Sequence, residues 1–421
     1  MSTCLQTPKK LQPPGSQRSL SDSVQETAAP RRPWILQTGT QHAKGDLAVV
    51  IRDIVIRWVL GGVIAFLLVT LISPCFLTSL RVYEWSAELD DYVLMDGYVH
   101  RKRDEGWATT HYGPYGFNSM AGMGDSSAST VMIWGDSYVE AHHVSDEQKT
   151  AYQVNKALSE QGLSHFRAIT IGRACWSVSD YYFKIPQYEK LLNPVCHFIV
   201  VAEYGLKDLC PDGETFLSEP TLQFVCRSLV NPHKIKVITG LYKWGLSDML
   251  LAPWKAVRTV MADGRNMRFT VGPYRKVDET TADSGCSVLF AWNEPNSIIE
   301  SWSYALDMLK TSTSKPIVLV LVPEVPHLER GVTCCVDPQS EWRGRLAELC
   351  MAKQVGCIDM TETLVNDYRT TGKFSRGFHN GQPDSGHLNA RGNWLLSRQI
   401  CAYLNEHKDS LRKTDHAVHA N

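Results

Sequence analysis

The sequence predicts an α/β fold in which a central parallel sheet is covered by helices on both faces. Two observations carry this. Short apolar runs rich in β-branched residues alternate along the chain with segments whose apolar residues recur at helical spacing. Gly135 and Gly172 close the first two runs, where a strand must turn sharply toward the next helix. Strands that alternate with helices in this way pair in parallel, and the helices cover the sheet.

Taken in order, residues 131–134 are the first expected strand. A helix follows over 148–161, with Tyr152, Val154 and Leu158 at helical spacing. A second strand spans 166–171. The next helix, 178–192, is interrupted or kinked at Pro186, because proline lacks the N–H the helix needs. The run 198–202 is the third strand. Residues 210–293 then scatter Gly, Pro, Trp and charge with no clean period, and read as a long insertion, helical in part over 250–261. Insertions on such folds often shape a cleft. The rhythm resumes with a helix at 298–309, a strand at 316–322, a helix at 342–355 and a short strand at 356–360. A closing helix at 390–404 offers Trp394, Leu395, Ile400 and Leu404 to the core. There is no internal repeat. Ahead of the sheet, residues 83–123 are aromatic and loop-like. The stretch His111-Tyr-Gly-Pro-Tyr-Gly-Phe-Asn118 holds three turn signals, and either covers part of a site or meanders on the surface.

The chain has 421 residues and a formal net charge of −1, a balance that argues against a general nucleic-acid binder. Residues 1–44 are rich in Ser, Gln, Pro, Thr and basic residues and are expected to be disordered. Arg31, Arg32, Lys44, Arg52 and Arg57 precede an uncharged run over 58–80. At about 23 residues it is long enough to cross a bilayer as a helix, and too far from the start for a cleaved signal peptide. The alternative is a buried core helix. By the positive-inside rule the basic side stays in the cytoplasm and everything from Arg81 lies outside it, which in a bacterium is the periplasmic face of the inner membrane. The expected organisation is a disordered tail (1–57), a single membrane-spanning helix (58–80), a lead-in (81–123), a folded domain (124–407, insertion about 210–293) and a flexible tail (408–421).

Ten of the 12 cysteines follow the apolar run, so some are expected to pair if that part is extracytoplasmic. Cys196, Cys210 and Cys226 fall close together, as do Cys350 and Cys357, but connectivity cannot be read from sequence. Vicinal Cys334-Cys335 reads as two independent thiols or two different bridges. No cysteine or histidine spacing points to zinc.

Two short stretches carry chemistry. In Trp134-Gly135-Asp136-Ser137 a serine stands at the carboxyl end of a strand, just before a helix, where its hydroxyl leaves the sheet and helix-start N–H groups are near. In Asp384-Ser-Gly-His387, before the last helix, a carboxylate three residues ahead of an imidazole can orient it and stabilise its protonated form. Ser137 as nucleophile, His387 as base and Asp384 as orienter make a complete set. A helix cap for Ser137 and a solvated histidine are the bland alternatives. His142-His143 stands without a carboxylate or further histidine to complete a metal set, so neither a metal nor a cofactor is expected. Glu140 and Glu203 read as cleft-lining, solvated or structurally paired. Trp134 reads as core.

With these residues in place, the chain resembles the SGNH (GDSL) hydrolase family over about 116–404. Gly135-Asp136-Ser137 matches the first block, Gly172 the second and Asp384-x-x-His387 the fifth. The Gly-x-Asn-Asp block aligns with Gly205-Leu206-Lys207-Asp208, so Lys207 stands where the family has asparagine. The resemblance implies a flavodoxin-like three-layer α/β/α sandwich and ester chemistry. It implies an oxyanion hole from the Ser137 N–H, the Gly172 N–H and the Lys207 position. An inward Lys207 would donate to the oxyanion or bind an acidic substrate; an outward one leaves two donors. On that basis the expected activity is a membrane-anchored serine esterase acting on O-acyl, foremost O-acetyl, groups of an envelope carbohydrate. An O-acyltransferase using the same residues and a catalytically impaired binding module are the alternatives.

Overall fold

A computed structural model of the chain describes residues 42–103, 105–121, 128–174, 176–202, 232–244, 246, 250–251, 254, 295–329 and 331–419. It separates two compact units, Met1–Gly62 and Val63–Asn421. Helix α1 runs from His42 to Phe76. It stops four residues short of the end of the apolar run, and residues 78–82 carry no regular secondary structure. Among the described residues no helix is long and apolar enough to cross a membrane, so the expected membrane span is not found there.

The second unit is built on a five-stranded sheet. Its strands are β5 (Ser129–Gly135), β6 (Phe166–Gly172), β7 (Cys196–Ala202), β8 (Ile317–Val322) and β11 (Gly356–Asp359). They lie in the order β11-β8-β7-β5-β6, and every pairing is parallel. Renumbered along the chain this is 2-1-3-4-5, the doubly wound order in which the crossover direction reverses beside the first strand. The expected parallel sheet is therefore found, with each strand within two residues of its expected limits.

Alternation along the strands explains the three layers. Successive side chains point to opposite faces. Val131 and Ile133 of β5 face one core and Met132 and Trp134 the other; Phe198 and Val200 of β7 part in the same way from Ile199 and Val201. The first core is closed by α3 (Thr150–Glu160) and by the long last helix α9 (Ala390–His419), which places Leu395, Leu396, Ile400 and Leu404 against it. The second is closed by α4 (Val178–Leu192), α6 (Pro295–Ser312) and α7 (Ser340–Ala352). Pro186 lies inside α4 without ending it, so of the two expected outcomes, an interruption or a kink, the interruption is not found. Trp394 is partly exposed and lies outside both cores, unlike its expected role.

The lead-in is not a loop. It forms two antiparallel hairpins, β1 (Tyr83–Ser86) with β2 (Asp91–Leu94) and β3 (Val99–Lys102) with β4 (Ala108–His111). Strands of four residues alternate too briefly to stand out in sequence, and the aromatic residues between them hide the pattern. A third small hairpin, β9 (His327–Glu329) with β10 (Val332–Cys334), follows β8, and α8 (Thr361–Thr371) follows β11. The insertion lies mostly outside the described residues. Within it α5 (Pro232–Lys243) is helical, and Thr239 Oγ1 donates to the Tyr83 carbonyl at 2.8 Å, which fixes α5 to the first hairpin.

Candidate active site

Strand β5 delivers Ser137 to the carboxyl edge of the sheet, beside the strand where the order reverses. Gly135 is required there, because a Cβ would come within 2.3 Å of the Val139 side chain. Asp136 caps the single-turn helix α2 (Ser137–Glu140), accepting from the Tyr138 N–H at 2.8 Å. Burial pushes the Asp136 carboxyl up, against the opposing Tyr138 hydrogen bond.

From the other end of the chain, His387 reaches the same place. Its Nε2 lies 2.8 Å from Ser137 Oγ, although 250 positions separate the two residues. The turn carrying His387 is fixed by Tyr138, whose hydroxyl donates to the Gly386 carbonyl at 2.9 Å. The expected nucleophile–base pair is thus brought together.

The expected orienter is not where the sequence placed it. Asp384 turns to the β9 hairpin, where its Oδ2 accepts the Leu328 N–H at 2.6 Å. The carboxylate at the far side of His387 is Glu105, from the turn between β3 and β4. Both of its oxygens lie 2.9 Å from His387 Nδ1, and Oε1 also accepts the His387 backbone N–H at 3.2 Å. A turn that brings Asp384 within three residues of His387 does not point its carboxylate at the ring, and the Leu328 N–H gives that carboxylate a partner elsewhere.

Local structure explains how Glu105 gets there. Asn380 clamps its turn, accepting the Gly106 N–H at 2.9 Å and donating to the carbonyls of Arg103 at 3.0 Å and Gly106 at 2.9 Å. Gly386 has φ +87°, and a Cβ there would sit 2.7 Å from Glu105 Oε1, so glycine is what lets the two turns meet. Burial works to raise the Glu105 carboxyl, but the hydrogen bonds from His143 and His387 outweigh it and hold the group well below the usual carboxylate range.

The oxyanion expectations divide. Among the described residues nothing accepts the Ser137 N–H, which leaves it available. The Gly172 N–H is not available, because it donates to Asn118 Oδ1, while Asn118 Nδ2 donates back to the Gly172 carbonyl at 2.8 Å. The N–H groups of Arg173 and Ala174 are also taken, by the Gly135 carbonyl at 3.3 Å and Glu140 Oε2 at 3.0 Å. Gly172 therefore holds the site's backbone rather than a substrate oxygen. Lys207, Glu203, Cys210 and Cys226 lie outside the described residues.

Behind α2 a second carboxylate, Glu140, is fully buried. It is paired with Arg81 at 2.6 Å and accepts from the Tyr112 hydroxyl at 3.0 Å. Burial raises the Glu140 carboxyl, but Arg81 beside it wins and holds it far below the usual range. This is the structural pairing among the readings of Glu140. Trp134 is core, with its indole N–H donating to His197 Nδ1 at 3.0 Å.

One further group sits at the centre. His143 is buried, and its ring stacks on His387 with centroids 3.8 Å apart and planes 20° from parallel. Its Nε2 lies 3.4 Å from Glu105 Oε2. A carboxylate and a second histidine thus do accompany His143, and the donor atoms of Glu105, His143 and His387 fall within 4.8 Å of one another. A metal would need ring lone pairs converging on one point, whereas near-parallel rings aim them side by side. Two N–H donors on one carboxylate fit that arrangement better. The other such trio among the described residues, His327, Glu329 and Cys334, includes a disulfide-bonded sulfur and so lacks a free thiolate.

Glu105, Asn118 and His143 were not singled out as catalytic parts by the sequence. Glu105 ends a charged run, 101–105, that resembles any solvated turn. Asn118 does end the turn-rich stretch expected to cover part of the site. His143 was seen, but only spatial neighbours that sequence spacing hides give it a role.

No family model and no curated protein matches this sequence. Solved structures do. An acetyl xylan esterase, AlAXEase, is 11% identical over 65% of this chain and 99% of its own, with a TM-score of 0.33. A lipase/acylhydrolase from Enterococcus faecalis is 13% identical over 66% and 95%, with a TM-score of 0.34. A family 3 carbohydrate esterase from Clostridium thermocellum is 10% identical over 68% and 98%, with a TM-score of 0.32.

Proposed function

We propose that this protein is a serine ester hydrolase of the SGNH type, acting on O-acyl groups, foremost O-acetyl groups of an envelope carbohydrate. The observation that carries the reading is the unbroken hydrogen-bonded line from Ser137 Oγ through the His387 ring to the Glu105 carboxylate. Ser137 attacks the acyl carbonyl while His387 Nε2 takes its proton. Glu105 stabilises the resulting imidazolium at Nδ1. The Ser137 N–H stands at the start of α2, where it can donate to the oxyanion. His387 returns the proton to the departing alcohol, and a water molecule, deprotonated by His387, then releases the carboxylic acid and frees Ser137. A purely structural or binding module has no need of a hydroxyl, an imidazole and a carboxylate in one line.

The membrane anchor and the extracytoplasmic location are part of this proposal. They are supported by the uncharged run over 58–80, by the basic residues before it and by the disulfide-bonded state of Cys334, which suits an oxidising compartment. The carbohydrate substrate follows from that location. An O-acyltransferase would use the same three residues, with a sugar hydroxyl in place of water.

The test compares the full-length protein with Ser137→Ala on a chromogenic acetyl ester and on acetylated glycans. Hydrolysis by the first and none by the second is the expected result. Equal rates would end the enzyme reading, and acetyl transfer to a sugar without release to water would favour the transferase.

A further inference from the structure

The catalytic line does not stop at Glu105. His143 touches both partners of that contact: its Nε2 faces Glu105 Oε2 at 3.4 Å, and its ring lies over His387 at 3.8 Å. His143 also stacks on His142, with centroids 4.2 Å apart, and on Phe378, at 5.8 Å. The ring is therefore held in one plane by its neighbours. Among the described residues Nδ1 of His143 is buried with no partner, which selects the tautomer carrying its proton on Nε2, toward the carboxylate.

We propose that His143 is a positioning residue of the esterase: its Nε2–H holds the Glu105 carboxylate, and its flat face holds the His387 ring aimed at Ser137. This rests on the catalytic reading of Ser137, His387 and Glu105. His143 transfers no proton. It stays neutral because burial pushes its imidazole down to about 3, against the opposing hydrogen bond to Glu105. The charged form taken by His387 during reaction then lies between a carboxylate edge-on and a neutral π-face, both of which favour it. The groups facing His143 are Glu105, His387 and His142; Glu140, Arg81 and Lys102 act on His142 from behind. Asp136 lies within electrostatic reach of His387.

The two contacts of His143 act on His387 in opposite directions, which gives a test that mere loss of packing cannot mimic. His143→Phe keeps the stacked face and removes the donor. Glu105 then concentrates its charge on His387, and the acid limb of kcat/KM moves up by about half a pH unit. His143→Gln keeps a donor and removes the face, and the limb moves down by about half a pH unit. Both variants lower kcat by about tenfold while KM stays within about twofold, as expected for a group that orients the base rather than binds substrate.

The unmutated full chain supplies the second measurement. Nitrogen-15 shifts of its histidine rings, in protein labelled at histidine, are expected to show His143 neutral and protonated on Nε2 down to about pH 4. A charged ring at pH 6, or a proton on Nδ1, overturns the proposal whether or not the variants fold. Limbs that stay put or move together, with kcat unchanged, overturn it as well. The ring shifts need no substrate, so a chain without esterase activity would sink the proposed function separately.

Discussion

Replacing Glu105 by glutamine separates the observed site from the one the sequence implies. The carboxylate lies 2.9 Å from His387 Nδ1, and the side chains are 28% and 24% exposed. Charge centres about 4 Å apart at an effective dielectric near 20 attract by about 4 kcal/mol. Partial solvent access trims this to about 3 kcal/mol, or about a hundredfold in kcat. Glutamine retains an oxygen for Nδ1–H, so the ring keeps its orientation and the loss reports charge. Without that charge the acid limb of kcat/KM moves to lower pH, since protonated His387 loses its stabilising partner. Asp384→Asn is the control. Its amide oxygen still accepts the Leu328 N–H, so kcat should stay within about threefold of the unaltered chain, with a stability loss near 1 kcal/mol. Hydrolysis of an acetyl chromogen by both variants, followed across pH 5–9, decides the matter. A hundredfold loss in Asp384→Asn beside a nearly active Glu105→Gln would refute the assignment.

Three other outcomes follow from the same geometry. Asn118→Ala strips the buried N–H and carbonyl of Gly172 of their partner, and should lower unfolding free energy by about 1–3 kcal/mol in urea titrations, with activity falling as the loop after β6 loosens. Arg81→Met leaves Glu140 buried without its cation and should cost about 3–5 kcal/mol by the same measurement, whereas the double change with Glu140→Gln recovers part of it. Acid should destabilise the fold before carboxylates titrate: burial lowers His100, His142 and His143 below 6.5, so the unfolded chain binds protons that the folded one refuses as pH falls through that value. Stability is then full above about pH 6.5 and declines below it by up to about 1.4 kcal/mol per pH unit per histidine, continued below about pH 4.5 by Glu105 and Glu140; denaturant midpoints at pH 7, 6 and 5 check the slope, which His143→Phe should flatten.

The sheet was legible because its strands are buried on both faces and run apolar without interruption, and because helices of ten residues or more display their period. Ser137 and His387 were legible for a related reason: one follows the end of a strand and the other precedes the last helix, at the edge where such folds gather reactive groups. What failed was local. Asp384 met every condition that sequence can express, a carboxylate near the histidine in a turn, yet the direction of its side chain depends on the β9 hairpin, whose pairing no short pattern announces. Gly172 likewise occupied the right strand end, but whether its N–H faces a substrate or Asn118 is decided by a segment more than fifty positions earlier. Hairpins of four-residue strands left the lead-in looking like a connector.

That lead-in is best understood as part of the candidate site. Triad chemistry demands a carboxylate at the distal ring nitrogen and is indifferent to where in the chain it originates. Here the β3–β4 turn supplies Glu105, the segment after β4 supplies Tyr112 and Asn118, and Arg81 stands before β1. Each meets a group of the sheet domain that would otherwise lack its partner: His387, Glu140 and Gly172. Lys149, buried at the start of α3, extends the same logic. Burial pulls its amine down to about 8 against the pull of Asp146, and it ties α3 to the lead-in through Thr110 at 2.9 Å and the Asn118 carbonyl at 2.8 Å. A buried amine costs stability unless every donor is matched. Matching these donors with lead-in atoms makes the placement of Asn118, and through it the backbone beside Ser137, depend on the lead-in being folded. The domain that performs the proposed chemistry therefore begins near Arg81, well before the first strand of its sheet.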